Sequence, residues 1–468
     1  MMNEILAILP KELQNQIKEV QFQQQTAGTE IERGGKKILI PENMTTDAAI
    51  EYLTRKRDEE ENYFDFSEVF DAFPLDAAHA LKVTLENEFG VTITTKKVIQ
   101  TLFGPMEINC QMVNCQTGPH SHTPVPWGVI VVPGIEGSME TSFAKKDGRV
   151  VMSINGQCKG KHREKLFSFF DDVRKTLREN SIYKGKAIKL NFRDSDGDRL
   201  EIGRDPHWQP EFIDLASAEE AIYNQETHDQ IEVALLQAIR YTDRLRERGI
   251  PVGRKVLLEG DYGTGKTLTA ALTAKECVQN DWTFLYVTDV RDIDQAMDIA
   301  RQYSPCVVFV EDVDHVNDHG DRTVQVLSTA LDGVENKDRE VMVVMTTNHV
   351  NKIPTILKRP GRMDAIVHVG RPNADTTVRL VEHYAGGVLA VDSEDDIKEA
   401  LEAVAGQSAS FVREVVERAK LSAIRNEDGS IDVHDLKTAA SMMKHHAQVL
   451  NGSFKPESAS LHYAESAS

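Results

Sequence analysis

The stretch KVLLEGDYGTGKTLTAALTAKECVQ constrains the fold more than any other in the chain. A short apolar run enters a glycine-rich turn, and a segment of small and apolar residues with helical spacing leaves it. Gly260, Gly265, Lys266 and Thr267 fill the pattern GxxxxGK[ST], with Asp261, Tyr262, Gly263 and Thr264 as the loop between and Leu268 opening the helix. Glycines in such a turn let backbone N–H groups point at phosphate oxygens. The lysine reaches the outer phosphates, and the threonine hydroxyl holds Mg²⁺. Strand, loop and helix in this order predict an α/β fold with phosphates bound at the carboxyl ends of the strands.

The residues that follow fit that sheet. TFLYV, CVVFVED, VMVVMTTN and AIVHVG are short and almost wholly apolar, as strands buried on both faces must be, with helical stretches between the first four. At CVVFVED the acids Glu311 and Asp312 lie where a strand leaves the sheet. Phosphoryl transfer needs one carboxylate to hold Mg²⁺ and another to orient the attacking water. Asn348, ending the next strand, brings an amide to the same place, and LKRPGRMD carries Arg359 and Arg362. Arginines there can stabilise transferring charge across a subunit boundary, although a Pro-Gly turn with two surface arginines is the simpler reading of that stretch alone. Residues 216–373 are expected to form this α/β unit, and 374–450 a small helical lid.

Taken together, GDYGTGKTLTA, PCVVFVEDVD, MTTNHV and ILKRPGRMD resemble the AAA+ ATPases, from about Tyr223 to Lys420. The resemblance implies ATP and Mg²⁺ as ligands and a ring of subunits, commonly a hexamer, with nucleotide at the interfaces. It implies Asn348 as the first sensor, and Arg359 and Arg362 as fingers acting on the neighbouring subunit's nucleotide. It makes His383 in VRLVEHY a lid residue beside base and ribose, and Ala409 and Ser410 in GQSAS adenine contacts. Phe411 stands where an acidic residue usually follows. Tyr223 and Asn224 fall roughly where a segment upstream of the sheet touches adenine.

Two departures bear on mechanism. The acids run Glu-Asp where the family has Asp-Glu, an order shared with the mitochondrial AAA chaperones that translocate folded Rieske iron–sulfur protein. The module is also similar to that branch in TTNH followed by RPGR and in a Gly-Ile-Pro before the phosphate loop. Both carboxylates are retained, so we expect an active ATPase with Glu311 at Mg²⁺ and Asp312 as the base, the reverse assignment staying open. Second, TFLYV runs through TDVRD almost directly into a helical stretch. The aromatic pore loop with which ring unfoldases of the superfamily grip a chain has no room there, so threading is not expected.

The rest of the chain is less specific. Residues 1–62 read as a helical segment, with helical spacing in EILAILPKELQNQIKEV and TTDAAIEYLTRKRDEEE. Residues 63–215 read as an α+β domain for a client or partner, with strands WGVIVVPGI, GRVVMSING and KAIKLNF and the helix HREKLFSFFDDVRKTLREN. Residues 451–468 read as a flexible tail. CQMVNCQTGPHSH brings Cys110, Cys115, His120 and His122 together, but C-x4-C with H-x-H is a poor zinc spacing. RDSDGDRLE, with Asp194, Asp196 and Asp198, lacks the glycine position and final glutamate of a calcium loop and reads as a hairpin turn. Cys277 and Cys306 read as packing residues.

Composition narrows the function. A formal net charge of −20 over 468 residues disfavours a DNA-handling AAA+ motor or loader, because phosphate-backbone binding depends on Lys and Arg. Five cysteines make no disulfide framework, and no apolar run reaches the about 18 residues that span a bilayer, so a cytoplasmic protein is expected. The leading expectation is an oligomeric ATPase that remodels or disassembles a protein client. The alternatives are the DNA-associated motor and a slow nucleotide-gated assembly protein.

Overall fold

The computed structural model describes residues 28–33, 36–41, 45–90, 96–101, 104–147, 149–193, 200, 208–216, 219–316, 321–332, 340–391, 393–426 and 429–450. The helix expected over EILAILPKELQNQIKEV, the Asp194–Asp198 turn and the tail lie outside them. The N-terminal segment is not wholly helical. Strands β1 (Gly28–Arg33) and β2 (Lys36–Pro41) pair antiparallel before helix α1 (Thr46–Glu61). The runs GTEIER and KKILIP flank Gly34-Gly35, a two-residue hairpin signal in the sequence, and Ile31 pairs with Ile38 across the ladder. Helix α1 is capped by Thr45, whose hydroxyl accepts from the N–H of Ala48 at 3.3 Å.

The next unit is antiparallel. Strands β3 (Tyr63–Phe70), β8 (Val129–Ile130), β9 (Gly137–Lys146) and β10 (Arg149–Lys159) form a four-stranded sheet in the order β3-β10-β9-β8. Two hairpins, β4 (Lys96–Thr101) with β5 (Gly104–Asn109) and β6 (Gln111–Gly118) with β7 (Ser121–Trp127), lie between in sequence. Helices α2 (Pro74–Phe89) and α3 (Arg163–Glu179) pack together, α3 burying Leu166, Phe169, Phe170 and Val173 at the helical spacing read from sequence. Helix α2 is not among the expected elements. Its buried face mixes alanines, Asp76 and Thr84 with the leucines, which weakens the periodic signal.

Beyond these, seven strands form a mostly parallel sheet. Its central members are β13 (Lys255–Glu259), β14 (Thr283–Val287), β15 (Cys306–Val310) and β16 (Val341–Thr347), with β17 (Ala365–His368) at one edge. At the other edge stand β11 (Ala187–Leu190) and β12 (Glu211–Phe212), β11 parallel to β14 and β12 antiparallel to β11. KAIKLNF therefore joins the α/β sheet rather than the N-terminal unit in which its sequence neighbours lie. A four-residue apolar strand carries no record of its partner, which here lies almost a hundred residues away.

Period-two alternation sends Leu257, Leu285, Val308 and Val343 to one face and Val256, Phe284, Val307 and Val344 to the other. On the first face the core runs without a break into the N-terminal unit, through Tyr303, Tyr183, Phe73 and Phe170. Helices α4 (Gln225–Ile231, prolonged by a π-helical turn, Glu232–Leu236, and Gln237–Arg240) and α6 (Lys266–Gln279) cover the second, with α5 (Thr242–Glu247) between them in sequence. Helices α7 (Ile293–Gln302) and α8 (Asp321–Asp332) cover the first. Helices α9 (Ala374–Ala385), α10 (Glu394–Ala400), α11 (Ala409–Ala423) and α12 (Val433–Leu450) form a lid around a core of their own.

Candidate nucleotide site

The glycine loop leaves β13 and enters α6 with Gly265 as the left-handed cap, φ 105°. Gly263 shows why glycine is required: a Cβ there would lie 2.0 Å from the hydroxyl of Ser410 on the lid, whose N–H donates to the Gly263 carbonyl at 3.0 Å. Lys266 is buried, and its ammonium donates to the carbonyls of Gly260 at 2.8 Å and Asp261 at 2.7 Å. Burial lowers its pKa, opposed by nearby carboxylates of which Asp312 acts most strongly. Thr267 is exposed at the first turn of α6. A cleft of about 270 Å³ is lined by Tyr262, Gly263, Gly265, Lys266, Thr267, Leu268, Asp312, Thr346, Asn348, Ala409 and Ser410, together with Glu219, Tyr384 and Arg413. A larger cleft of about 900 Å³ lies along β17 and α4 and holds none of the loop. We assign the site by its phosphate-directed chemistry rather than by size.

The exchanged acids part company at the end of β15. Asp312 is exposed in the cleft with φ 49°, a left-handed conformation that aspartate tolerates better than most residues. Its N–H donates to the Thr346 hydroxyl at 3.1 Å, and its carboxylate accepts from the Asn348 amide at 2.8 Å. One carboxylate oxygen is thereby oriented and the other left for solvent. Glu311 is half-buried, accepts from the phenol of Tyr286 on β14 and is not part of the cleft wall. Burial, and after it the bond to Glu311, raise the pKa of Tyr286. Behind both acids the buried Asp314 accepts from the Thr347 hydroxyl at 2.6 Å and the Asn348 N–H at 3.1 Å, fastening the exit of β15 to that of β16.

Several expected residues stand elsewhere. Tyr223 is buried behind the loop, its phenol donating to the Gly265 carbonyl at 3.0 Å and sharing a hydrogen bond with Thr269 at 2.7 Å. It braces the phosphate loop and does not line the cleft. The Asn224 amide is spent on the lid hinge, donating to the Arg371 carbonyl and accepting from the N–H of Asn373, both at 2.9 Å. His383 is exposed and its ring meets Tyr384; it is Tyr384, one residue on, that faces the cleft. In a helix one residue is about 100° of rotation, so a motif placed by one position selects the wrong face. Ala409 and Ser410 do line the cleft.

Arg359 is exposed, and Arg362 forms an ion pair with Asp332 at 3.1 Å; neither borders the cleft of its own chain. Glu219 and Arg413, ion-paired at 2.7 Å across the cleft mouth, carry no signal in the sequence. They lie 194 residues apart, and only folding brings them together. Of the zinc candidates, Cys115 is buried while His120 and His122 are exposed, His120 pairing with Asp214 at 3.4 Å. The hairpin register sets Gln116, not Cys115, opposite His122, so the Cys115 sulfur and the His122 imidazole occupy opposite faces.

Residues 256–371 match the family model described as "ATPase family associated with various cellular activities (AAA)". The chain is 28% identical over 251 residues to an ATP-dependent zinc metalloprotease FtsH 4 of Synechocystis sp., covering 49% of this chain and 38% of that protein. It is 25% identical over 228 residues to a proteasome-activating nucleotidase of Methanosphaerula palustris, covering 45% of this chain and 55% of the other. The chain thus spans less than two thirds of the length of these relatives. A crystal structure of the FIGL-1 AAA domain in complex with ADP is similar at 17% identity and a TM-score of 0.40, over 50% of this chain and 91% of that one. The glycine-loop sheet has the P-loop NTPase fold, and residues 256–371 within it match the AAA ATPase domain. Among the described residues no helix is long and apolar enough to cross a membrane.

Proposed function

We propose that the chain hydrolyses ATP in a ring of like subunits and uses the cycle to remodel a protein client without threading it. The observation that carries the catalytic part is the meeting, in one cleft, of the glycine loop, Lys266, Thr267 and the Asp312–Asn348 pair. Asp312 acts as the base that orients water, since its carboxylate reaches the cleft while that of Glu311 is drawn back to β14. The donor set suits Mg²⁺: a hydroxyl at Thr267, and at Glu311 a carboxylate whose Oε1 is buried and without a hydrogen-bond partner. Bound there, Mg²⁺ neutralises phosphate charge. Arg359 and Arg362, outside their own cleft, serve the neighbouring subunit's nucleotide.

The non-threading part rests on the connection from β14 to α7. Val290–Asp292 forms one 3-10 turn and runs straight into the helix at Ile293. Asp292 is buried and held by Arg193 through two hydrogen bonds of 2.9 Å, which fastens this turn to the end of β11. A loop so short and clamped supports a machine that works by changing subunit arrangement. The Glu-Asp order and the short loop together favour likeness to the Rieske-translocating branch, with client contact through the N-terminal unit.

The test is ATP turnover by the full chain. Lys266→Ala abolishes it, Asp312→Asn lowers kcat by about 10²- to 10⁴-fold, and Arg359→Ala lowers kcat by about 10³-fold or more while nucleotide binding persists. Particle mass measured with and without ATP reports the ring. Processive ATP-dependent unfolding of a tagged model protein overturns the non-threading reading, and strong stimulation by DNA favours the motor.

A further inference from the structure

The order of the acids has a structural counterpart on the neighbouring strand. Tyr286 pairs in register with Phe309, and their rings stack with centroids 6.3 Å apart and planes within 8°. Phe309 and Glu311 are two residues apart and so share a side of the chain. A tyrosine ring lying along Phe309 therefore delivers its hydroxyl to the carboxylate, donating to Oε2. Oε1 of the same group is buried with no hydrogen-bond partner. A buried carboxylate oxygen left in this way costs free energy until a donor or cation meets it.

We propose that Tyr286 is a positioning residue for Mg²⁺. It fixes the Glu311 carboxylate by one oxygen and leaves the other for the hydrated cation beside the phosphates. This rests on reading the glycine-loop cleft as a Mg²⁺–nucleotide site. The exchanged order then becomes a matched pair of changes. The longer acid has a phenol behind it to hold it; the shorter one is held by Asn348. An aspartate at 311 is shorter by one carbon–carbon bond, about 1.5 Å, and loses the phenol. A purely structural role for the contact is the competing account, but β14 and β15 are already laddered from Thr283 to Val287 and gain little from it.

Outer hydrogen-bond partners typically change metal affinity by about 10- to 100-fold. The experiment titrates Mg²⁺ against the full chain with a fluorescent, non-hydrolysable ATP analogue, and repeats the nucleotide titration in EDTA. Tyr286→Phe keeps the ring stack and raises the Mg²⁺ concentration for half-maximal binding by about tenfold or more, with EDTA affinity unchanged. Glu311→Asp gives the same rise, and the double variant no further one. If Glu311→Gln raises the Mg²⁺ requirement but Tyr286→Phe does not, the role of Tyr286 is overturned and the site assignment stands. If Glu311→Gln leaves the requirement unchanged, the assignment of Glu311 to Mg²⁺ fails with it. A fall in Tm with equal losses in Mg²⁺ and EDTA marks Tyr286 as a structural brace and overturns the proposal.

Discussion

The N-terminal unit and the lid are both attached to the ATPase sheet, by different physics. The N-terminal unit shares a hydrophobic core with one face of the sheet, from Phe170 through Phe73 and Tyr183 to Tyr303 and Val308. A buried carboxylate closes the junction. Asp76 on α2 accepts from the Ser181 hydroxyl at 2.6 Å, the Ile182 N–H at 2.9 Å and the Tyr303 phenol at 3.0 Å; that phenol in turn accepts from the N–H of Phe73 at 3.1 Å. The lid keeps a core of its own, into which, among the described residues, only Ile222 reaches from the segment before α4. It is tied down by polar struts instead. Arg371 bridges Asp261 in the phosphate loop and the carbonyl of Gly406, both at 3.0 Å. Arg379 donates to the Tyr223 carbonyl at 2.6 Å, and Arg413 pairs with Glu219.

Opening an apolar junction to water costs free energy in proportion to the surface exposed, whereas exposed ion pairs exchange for water with little loss. The N-terminal unit is therefore built to move with the sheet and the lid to move against it.

The largest effect is expected at the shared core. Phe73→Ala removes a buried ring that packs on both Tyr183 and Trp208 and is expected to cost about 3–5 kcal/mol, with the N-terminal unit and sheet unfolding in one denaturant transition. Two separated transitions in the wild type contradict the shared core. Tyr303→Phe leaves the Asp76 carboxylate short of one donor and the Phe73 N–H short of its acceptor, a loss of about 1–3 kcal/mol by the same measurement.

A pH series sharpens the point. Burial raises the pKa of Asp76 from 3.8 to about 6 despite its three donors. Folded chains thus hold a proton that unfolded chains release, and this group's contribution is fully present below about pH 4 and is lost as pH rises to about 6. Asp76→Asn has no such proton, so its stability relative to wild type climbs across that window, by at most about 1.4 kcal/mol per pH unit. A flat difference removes Asp76 as the titrating group.

The smallest stability effect belongs to the lid. Arg371→Ala is expected to lower global stability by no more than about 1 kcal/mol. Amide exchange in α9 and α11 nevertheless rises, and nucleotide affinity falls several-fold, because the strut joins loop and lid. A large loss of global stability places the lid with the N-terminal unit and erases the contrast.

The legible parts of the molecule are those whose signal is local. Gly260 to Thr267 announce their loop because only glycines, a lysine and a hydroxyl in that spacing can wrap a phosphate, and the flanking residues read as strand and helix. The helix Arg163–Glu179 is legible because Leu166, Phe169, Phe170 and Val173 repeat with its turn. Illegible are the residues whose role depends on a distant partner. Tyr223 behind the loop, Tyr384 beside the exposed His383, and the Glu219–Arg413 pair show nothing in their own neighbourhoods. The strand pair Gly28–Arg33 and Lys36–Pro41 escapes a sequence reading for another reason: each strand is only six residues long in a polar, Gln/Glu-rich surrounding.

The residue pattern alone establishes a phosphate-binding sheet with two retained acids, because backbone geometry at a glycine loop and the burial of apolar strands are set within a few residues. Folding settles which acid faces the cleft, that Ala187–Leu190 extends the glycine-loop sheet, and that the N-terminal unit shares its core while the lid does not. These are matters of which side chains meet across strands and subdomains. Strand pairing and core continuity are fixed by the cost of leaving surface and polar groups unmatched over the whole fold, and no short window of residues carries that balance.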